Sequence, residues 1–390
     1  MPGDLITGEI LTAVHETRSE AAVFDMVCDL TMEPVACAAW DATLSLFDDV
    51  CPEQTYAFGR MRWPFLQHEP WLFRSNGRIV GGALIMLQQL PLRLGTVAIG
   101  KWAPMLRDAA AANAPFLYRG MIEALIANYA ERRGMMLVML PRARCPGRFD
   151  EAAYLRRRGF AAGSNVAFPN RYIVDLRDAD DVHRKRLGSK WRYHLGKSEK
   201  NGLTFEVGDA STLPTFARLY EAMSERKKFP DYSAYDTVPD LLSMDAVEMR
   251  PQLFFVRHGG EVVSGAIIFK AGNTAMYLYG ATNEQALPLR AGYFMHWQIV
   301  RWLKANTSAQ WYDLGGSDGF LGLHQFKKGM IGDAGAIVPL PPMMHYAARK
   351  FPLMAGRMAF AARDALLDVR QWLLTRWSDR AKPDLVNERT

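Results

Sequence analysis

The sequence predicts an α/β chain of two similar units, each a mixed, mostly antiparallel twisted sheet flanked by helices, followed by a C-terminal amphipathic helix. Three observations predict it. Trp71–Leu87 and Leu253–Phe269 share one pattern: an apolar-rich run, a polar glycine turn, then a β run with small residues inside. The same order of strand and helix signals follows each of them. After Pro341, Met358, Ala362, Leu366, Val369, Leu373 and Trp377 step by four, four, three, four and four, which is one apolar helix face.

Met1 to about Val50 reads as a lead-in with a helical portion, followed by the aromatic patch MRWPFLQHEPWLF with Pro64 and Pro70 inside it. Trp71–Arg74 and Arg78–Leu87 flank Ser75-Asn76-Gly77, and an Asn-Gly turn between apolar runs is a hairpin signal. Thr96–Ile99 reads as a strand. Pro115–Arg133 is helical, with Phe116, Ile122, Leu125, Ile126 and Tyr129 at helical spacing before Gly134. Met135–Leu140 is a buried strand, and Tyr154–Arg158 a short helix stopped by Gly159. In the second half Pro214–Ser224 is helical, and Leu253–Arg257 and Val262–Lys270 form the hairpin around Gly259-Gly260. Thr274–Gly280 is a strand, Gly292–Lys304 a helix, and Gln310–Leu314 a strand running into Gly315-Gly316. The expected boundaries are 1–165 and 166–340 for the two units and 341–390 for the basic tail.

At 390 residues the chain has room for two domains, and with 49% hydrophobic and 23% charged residues it is not a disordered one. A net charge of +6 favours anionic partners without singling out nucleic acid. Cys28, Cys37, Cys51 and Cys145 form no C-x-x-C pair, so zinc-site spacing is absent and no metal is expected. Scattered thiols fit a reducing cytosol, and MPGDLITGEI lacks the charged and apolar regions of a signal peptide. The expected location is cytoplasmic.

Four segments carry candidate chemistry. In WYDLGGSDGFLGLHQFKKG, Trp311–Gly329, a strand ends in Asp313-Leu314-Gly315-Gly316 and a lysine pair, Lys327-Lys328, follows a loop. Consecutive glycines at a strand end let backbone approach a ligand. A strand–turn with solvated lysines would show the same spacing. Residues 183–202 hold seven Lys/Arg in twenty, interleaved with Trp191 and Tyr193. They read either as a solvated helix or as a clamp for phosphates, with Lys190 and Arg192 as cations and Trp191 or Tyr193 as stacking groups. LPLRAGYFMHW places Arg290 and Gly292 at a helix start, where backbone N–H groups hold anions. The tail, with Arg363, Arg370 and Arg380 among its polar positions and a Trp372/Trp377 pair, reads either as core packing or as a membrane-surface helix.

YDLGG followed by GLHQFKKGM resembles the signature of the FemABX transferases of the GNAT superfamily. The basic helix Trp191–Gly202, the helix FARLYEAMSERKKF, the hairpin Leu253–Phe269 and the strand Tyr277–Gly280 fall in the family's order, over roughly residues 55–335. Met330 stands where the family usually has Phe, His324 where Tyr is common, and there is no long helical arm. The resemblance implies two GNAT-like subdomains and transfer of an activated acyl group to an amine. The family's charge-stabilising lysine maps to Lys327, and the arginine of its basic helix to Arg192. Lys327 is expected to hold the oxyanion, with Asp313, Asp318 or His324 assisting proton removal. Tyr312, Gly315, Gly316 and Phe326 are expected to line the same site. No nucleophile–base pair is visible, so direct attack is expected.

Three functions are compatible with this. One is an acyl-CoA-dependent N-acyltransferase acting on the amino group of a membrane-associated amphiphile, an amide-lipid or ceramide-type precursor. The second is an aminoacyl-tRNA-dependent transferase acting on a peptidoglycan precursor or small peptide. The third is a non-catalytic binding module. No bound cofactor is expected, only the co-substrate. The expected partners are an anionic donor and an amine-bearing lipid or envelope precursor, with peripheral contact to the inner membrane surface.

Overall fold

Asn76-Gly77 and Gly259-Gly260 all adopt positive φ, so both hairpins close through turns whose twist matches that of their strands. The computed structural model describes residues 29–165, 170–227, 234–317 and 319–380. Cys28, Asp318, Lys228 and Phe229 lie outside the described residues, as do the side chains of Arg370, Trp372, Leu373, Trp377 and Arg380.

The first unit runs β1 (Leu30–Pro34), β2 (Gln67–Ser75), β3 (Arg78–Gln89), β4 (Thr96–Lys101), β5 (Met105–Leu106), α1 (Ala114–Leu125), β6 (Met136–Leu140), α2 (Glu151–Arg157) and β7 (Ala161–Ala162). After β8 (Asn170–Asp175) come α3 (Asp180–Arg186) and α4 (Ser189–Ser198). The second unit continues with β9 (Leu203–Gly208), α5 (Leu213–Lys227), β10 (Gln252–His258), β11 (Glu261–Phe269), β12 (Thr274–Thr282), α6 (Ala291–Asn306), β13 (Trp311–Asp313), α7 (Leu321–Ile331) and β14 (Ala336–Pro339). β15 (Met344–Tyr346) and α8 (Lys350–Arg380) close the chain. Lys327 and Lys328, expected after a loop, lie within α7.

The two sheets have the same strand order, β1-β2-β3-β4-β6-β15-β7 and β9-β10-β11-β12-β13-β8-β14. In each, the strand following one unit is inserted into the sheet of the other. β15 pairs antiparallel with β6 and β7, and β8 with β13 and β14. The repetition extends to single residues. Arg74 faces Thr31 and donates to Gly77 O at 3.1 Å and to Glu33 at 2.8 Å. Arg257 faces Thr204, donates to Gly260 O at 3.0 Å and pairs with Glu206. Both hairpins also carry a bulge at the same offset from the turn, after Phe73 and after Val256.

Each sheet buries an apolar layer under its own helices. In the first unit Phe73, Ile85, Ala98 and Met139 pack beneath α1. In the second Trp191, Phe254, Ile299 and Tyr312 pack under α4 and α6. A third cluster, with Trp40, Phe47, Leu241, Phe269 and Met276, joins the opposite face of the second sheet to the first unit.

Candidate active site

The parallel pairing between β12 and β13 is short. It comprises Thr274–Trp311, Ala275–Tyr312 and Met276–Asp313, after which β13 ends while β12 continues to Thr282. The strands therefore part from the Met276–Asp313 pair onward. The corresponding strands of the first unit stay closed: β4 and β6 pair from Val97–Met136 to Lys101–Leu140, and Trp102 N–H then bonds Leu140 O at 2.8 Å. Among the described residues, the second unit alone has a gap between its parallel strands.

The chain beyond Asp313 is held firmly. Gly315 has φ +71 and donates its N–H to Asp313 Oδ1 at 2.8 Å. The Asp313 carboxylate also receives Arg171 Nε, at 2.8 and 3.0 Å, and Nη2, at 2.7 Å. Its acceptor positions are thus occupied by a guanidinium and a backbone amide. Asp313 orders this loop, and the proton-accepting role expected of it does not match its surroundings.

Lys327 is buried, and its Nζ donates to Gly316 O and lies 6.0 Å from the Tyr172 ring centroid. His324, one turn earlier on α7, shares a hydrogen bond between its Nδ1 and the Tyr172 hydroxyl. Phe326 packs on Trp191, Tyr293 and His296, with ring centroids 4.9 to 5.9 Å apart. Below it, His296 Nδ1 meets Tyr312 OH at 3.2 Å. Burial, reinforced by the Lys327 charge, holds the His296 imidazole down at about 3, so it stays neutral.

The basic helix α4 stands beside the start of α6. His194 and Trp191 pack against Tyr293, tilted and edge-on, with centroids 4.9 and 5.2 Å apart, and Asn201 Nδ2 donates to Leu289 O at 2.9 Å. Partial burial, then Arg290, Lys190 and Lys197, lowers the His194 pKa, placing these three cations around one ring. Arg290 takes a left-handed conformation at the head of α6, and a side chain at Gly292 would meet nothing nearer than Phe326 at 4.0 Å. The exposed Tyr193 ring carries Lys197 Nζ at 4.8 Å.

Two expected binding residues lie elsewhere. Trp191 is 2% exposed, pressed between Gly329, Phe326 and Tyr293, so it is a core residue and not a stacking platform for a ligand. The Arg192 guanidinium donates to Lys185 O and to Leu187 O at 2.6 Å, closing the end of α3.

On the other face of the sheet a cavity of about 320 Å³ lies between the units. It is lined by Cys51, Trp102 and Arg142 from the first unit and by Arg171, Met276 and Asp313 from the second, so it reaches the pair at which the strands part. Sequence reasoning missed Arg171 and Tyr172. They alternate along β8, one toward the cavity and one toward Lys327, in a run with no glycine or motif to mark it.

Residues 182–328 match the model of the acetyltransferase (GNAT) domain family. The chain as a whole has the fold of FemX, with a TM-score of 0.65 over 81% of this chain and 97% of that one, at 15% identity. The family match thus covers the second unit, and the likeness to FemX is one of fold. L-PGS from Bacillus licheniformis is similar in fold at TM-score 0.52 and 14% identity, over 84% of this chain and 96% of that one. So is a conserved protein of unknown function from Bacteroides thetaiotaomicron, at TM-score 0.52 and 11% identity, over 81% and 99% of the two chains. No curated protein matches in sequence. The gap after Met276–Asp313 and the start of α6 both fall inside the segment that matches the GNAT domain family.

Proposed function

We propose that this chain is an N-acyltransferase that moves an acyl group from acyl-CoA to the amino group of a membrane-associated amphiphile, an amide-lipid or ceramide-type precursor. The observation that carries the reading is the parting of β12 and β13 next to Lys327 and the head of α6. Strands that diverge leave backbone groups free to bind an extended amide-containing chain, and a helix N-terminus with three cations around it suits a diphosphate. Lys190, Lys197 and Arg290 all act electrostatically on His194 beside the head of α6, which supports an anionic donor there. The acyl carbonyl then lies where Lys327 can stabilise the oxyanion as the amine attacks.

The acceptor class rests on α8. Ala355 and Phe360 pack on Val97, Met136 and Val138 of the first sheet. The opposite face is uncovered: Phe351, Met354, Met358 and Leu366 are 59, 60, 66 and 71% exposed. Lys350, Arg357 and Arg363 flank this stripe, so it suits an anionic lipid surface. No helix among the described residues is long and apolar enough to cross a membrane.

The test is free-thiol release from acyl-CoA of varied chain length, with and without long-chain amines in anionic vesicles. Amine-dependent release is expected. No release with any chain length, together with an RNase-sensitive product from charged tRNA, would replace this donor with aminoacyl-tRNA.

A further inference from the structure

Two turns at one end of the first sheet present bare hydrocarbon to solvent. Residues 63–66 close a turn, with the Leu66 N–H on Trp63 O at 3.0 Å, and lead into β2. Residues 91–94 close another between β3 and β4, with the Leu94 N–H on Pro91 O at 3.2 Å. The register sets the two side by side: Gln67 pairs with Leu87, Gln89 with Thr96, and the Leu90 N–H reaches Gly95 O at 2.9 Å. Phe65 and Leu92 lie in these turns, 98 and 90% exposed, the highest values for large apolar side chains among the described residues. Leu92 is also held at φ +56, a left-handed conformation that a leucine disfavours, and Arg93 follows at +58. With so little of Leu92 covered, no packing within the fold offsets that strain.

The same end of the sheet carries the start of α8. A side chain at Gly134, just before β6, would meet Arg349 at 4.0 Å, and one at Gly356 would meet Met136, the partner of Val97 at the start of β4. Leu90, at the foot of the second turn, packs in one cluster with Ala355 and Phe360. The charge here has one sign. Segments 61–68, 88–97 and 347–358 contain Arg62, Arg93, Arg349, Lys350 and Arg357, and no Asp or Glu. All five cations are exposed, and none forms an ion pair among the described residues. Protruding apolar side chains set among unpaired cations complement an anionic bilayer, where hydrocarbon lies directly beneath phosphate.

Resting on the reading of α8 as a lipid-facing helix, we propose that these two turns are a membrane anchor, inserting Phe65 and Leu92 at the boundary of headgroups and acyl chains in an anionic bilayer beside the start of α8. The cations supply attraction that salt screens, and the two tips supply burial of apolar area that salt leaves in place. Removing a side chain of this size from water strengthens partitioning by roughly tenfold or more. The turns are closed by their own hydrogen bonds before lipid is met, so little backbone order remains to be imposed on insertion.

Co-sedimentation of the unmodified chain with phosphatidylglycerol/phosphatidylcholine vesicles tests the lipid-facing reading; the double variant Phe65→Ser/Leu92→Asn tests the turns. The variant keeps every charge, and Asn accepts the left-handed backbone at position 92. Its melting temperature is expected to stay within about 2 °C, because both side chains are exposed. Its vesicle partition coefficient is expected to fall about tenfold or more, and it should lose the bound fraction that the unmodified chain keeps in about 0.5 M NaCl. A folded double variant that partitions like the unmodified chain at low and high salt overturns the inference and leaves α8 as the lipid contact. An unmodified chain that binds no vesicle overturns both. Sedimentation velocity without lipid separates the other occupant: a dimer that the double variant loses, with vesicle binding unchanged, would assign the turns to a second copy and overturn the anchor.

Discussion

Lys327 is buried and donates to a backbone carbonyl, Gly316 O, on the loop that follows β13. A cation fixed beside the point where the strands part can stabilise negative charge that develops there. Lys327→Ala is expected to lower kcat by about 10²-fold or more while the far-ultraviolet circular dichroism stays unchanged. Full activity in that variant would remove Lys327 from the site. Asp313 differs, because its carboxylate is committed to Arg171. Asp313→Ala leaves Arg171 buried without its counter-charge, so urea unfolding is expected to show a loss of about 3–5 kcal/mol. Both residues were legible from YDLGG and FKKG. Their division of labour was not, since it depends on Arg171, a residue 142 positions away in the chain with no motif around it.

At the scale of elements, the proposed function rests mostly on a strand pair and a helix. The central hairpins and the helices after them were readable because their apolar periods are long and their turns contain glycine. β1 and β9 escaped notice, although LTME and LTFE place a Thr opposite each hairpin arginine and a Glu that pairs with it. Each is a short edge strand with much of its length exposed, so its hydrophobic signal is weak. α8 was legible as an amphipathic helix, but only packing could show which of its faces is covered. The double variant Met358→Asp/Leu366→Asp is expected to keep the melting temperature within about 2 °C, because both side chains are exposed. Its co-sedimentation with anionic vesicles should be lost; undiminished sedimentation would exclude this stripe as the lipid-facing surface.

Across the whole molecule, acid is expected to act in two steps. Burial, then the Lys327 charge, lowers His296 to about 3, and burial is the leading cause that lowers His183 and His345 to about 4. All three are neutral in the fold and take up protons when unfolded below about pH 6.5. Stability should therefore fall as pH drops from about 6.5 toward 4. Burial alone would raise Asp49, but Arg148, at 2.5 and 2.9 Å, and Arg142 outweigh it and hold it at about 2. Its contribution is present above the ordinary carboxylate range and is lost between about pH 4 and 2. Urea midpoints measured from pH 7 to 3 check the sequence of events, and a flat profile down to pH 4 would contradict the histidine assignment.

The reciprocal insertion of β8 and β15 has a consequence for how the chain is put together. Cut between Asp178 and Ala179, each fragment would lack an interior strand of its own sheet and carry the strand the other needs. Neither fragment should fold alone, and mixing the two should give a one-to-one particle with the circular dichroism of the intact chain. In a single-unit forerunner, the last strand could find the same place only in a second copy. In mechanical terms this protein is a swapped dimer whose two subunits have been joined end to end.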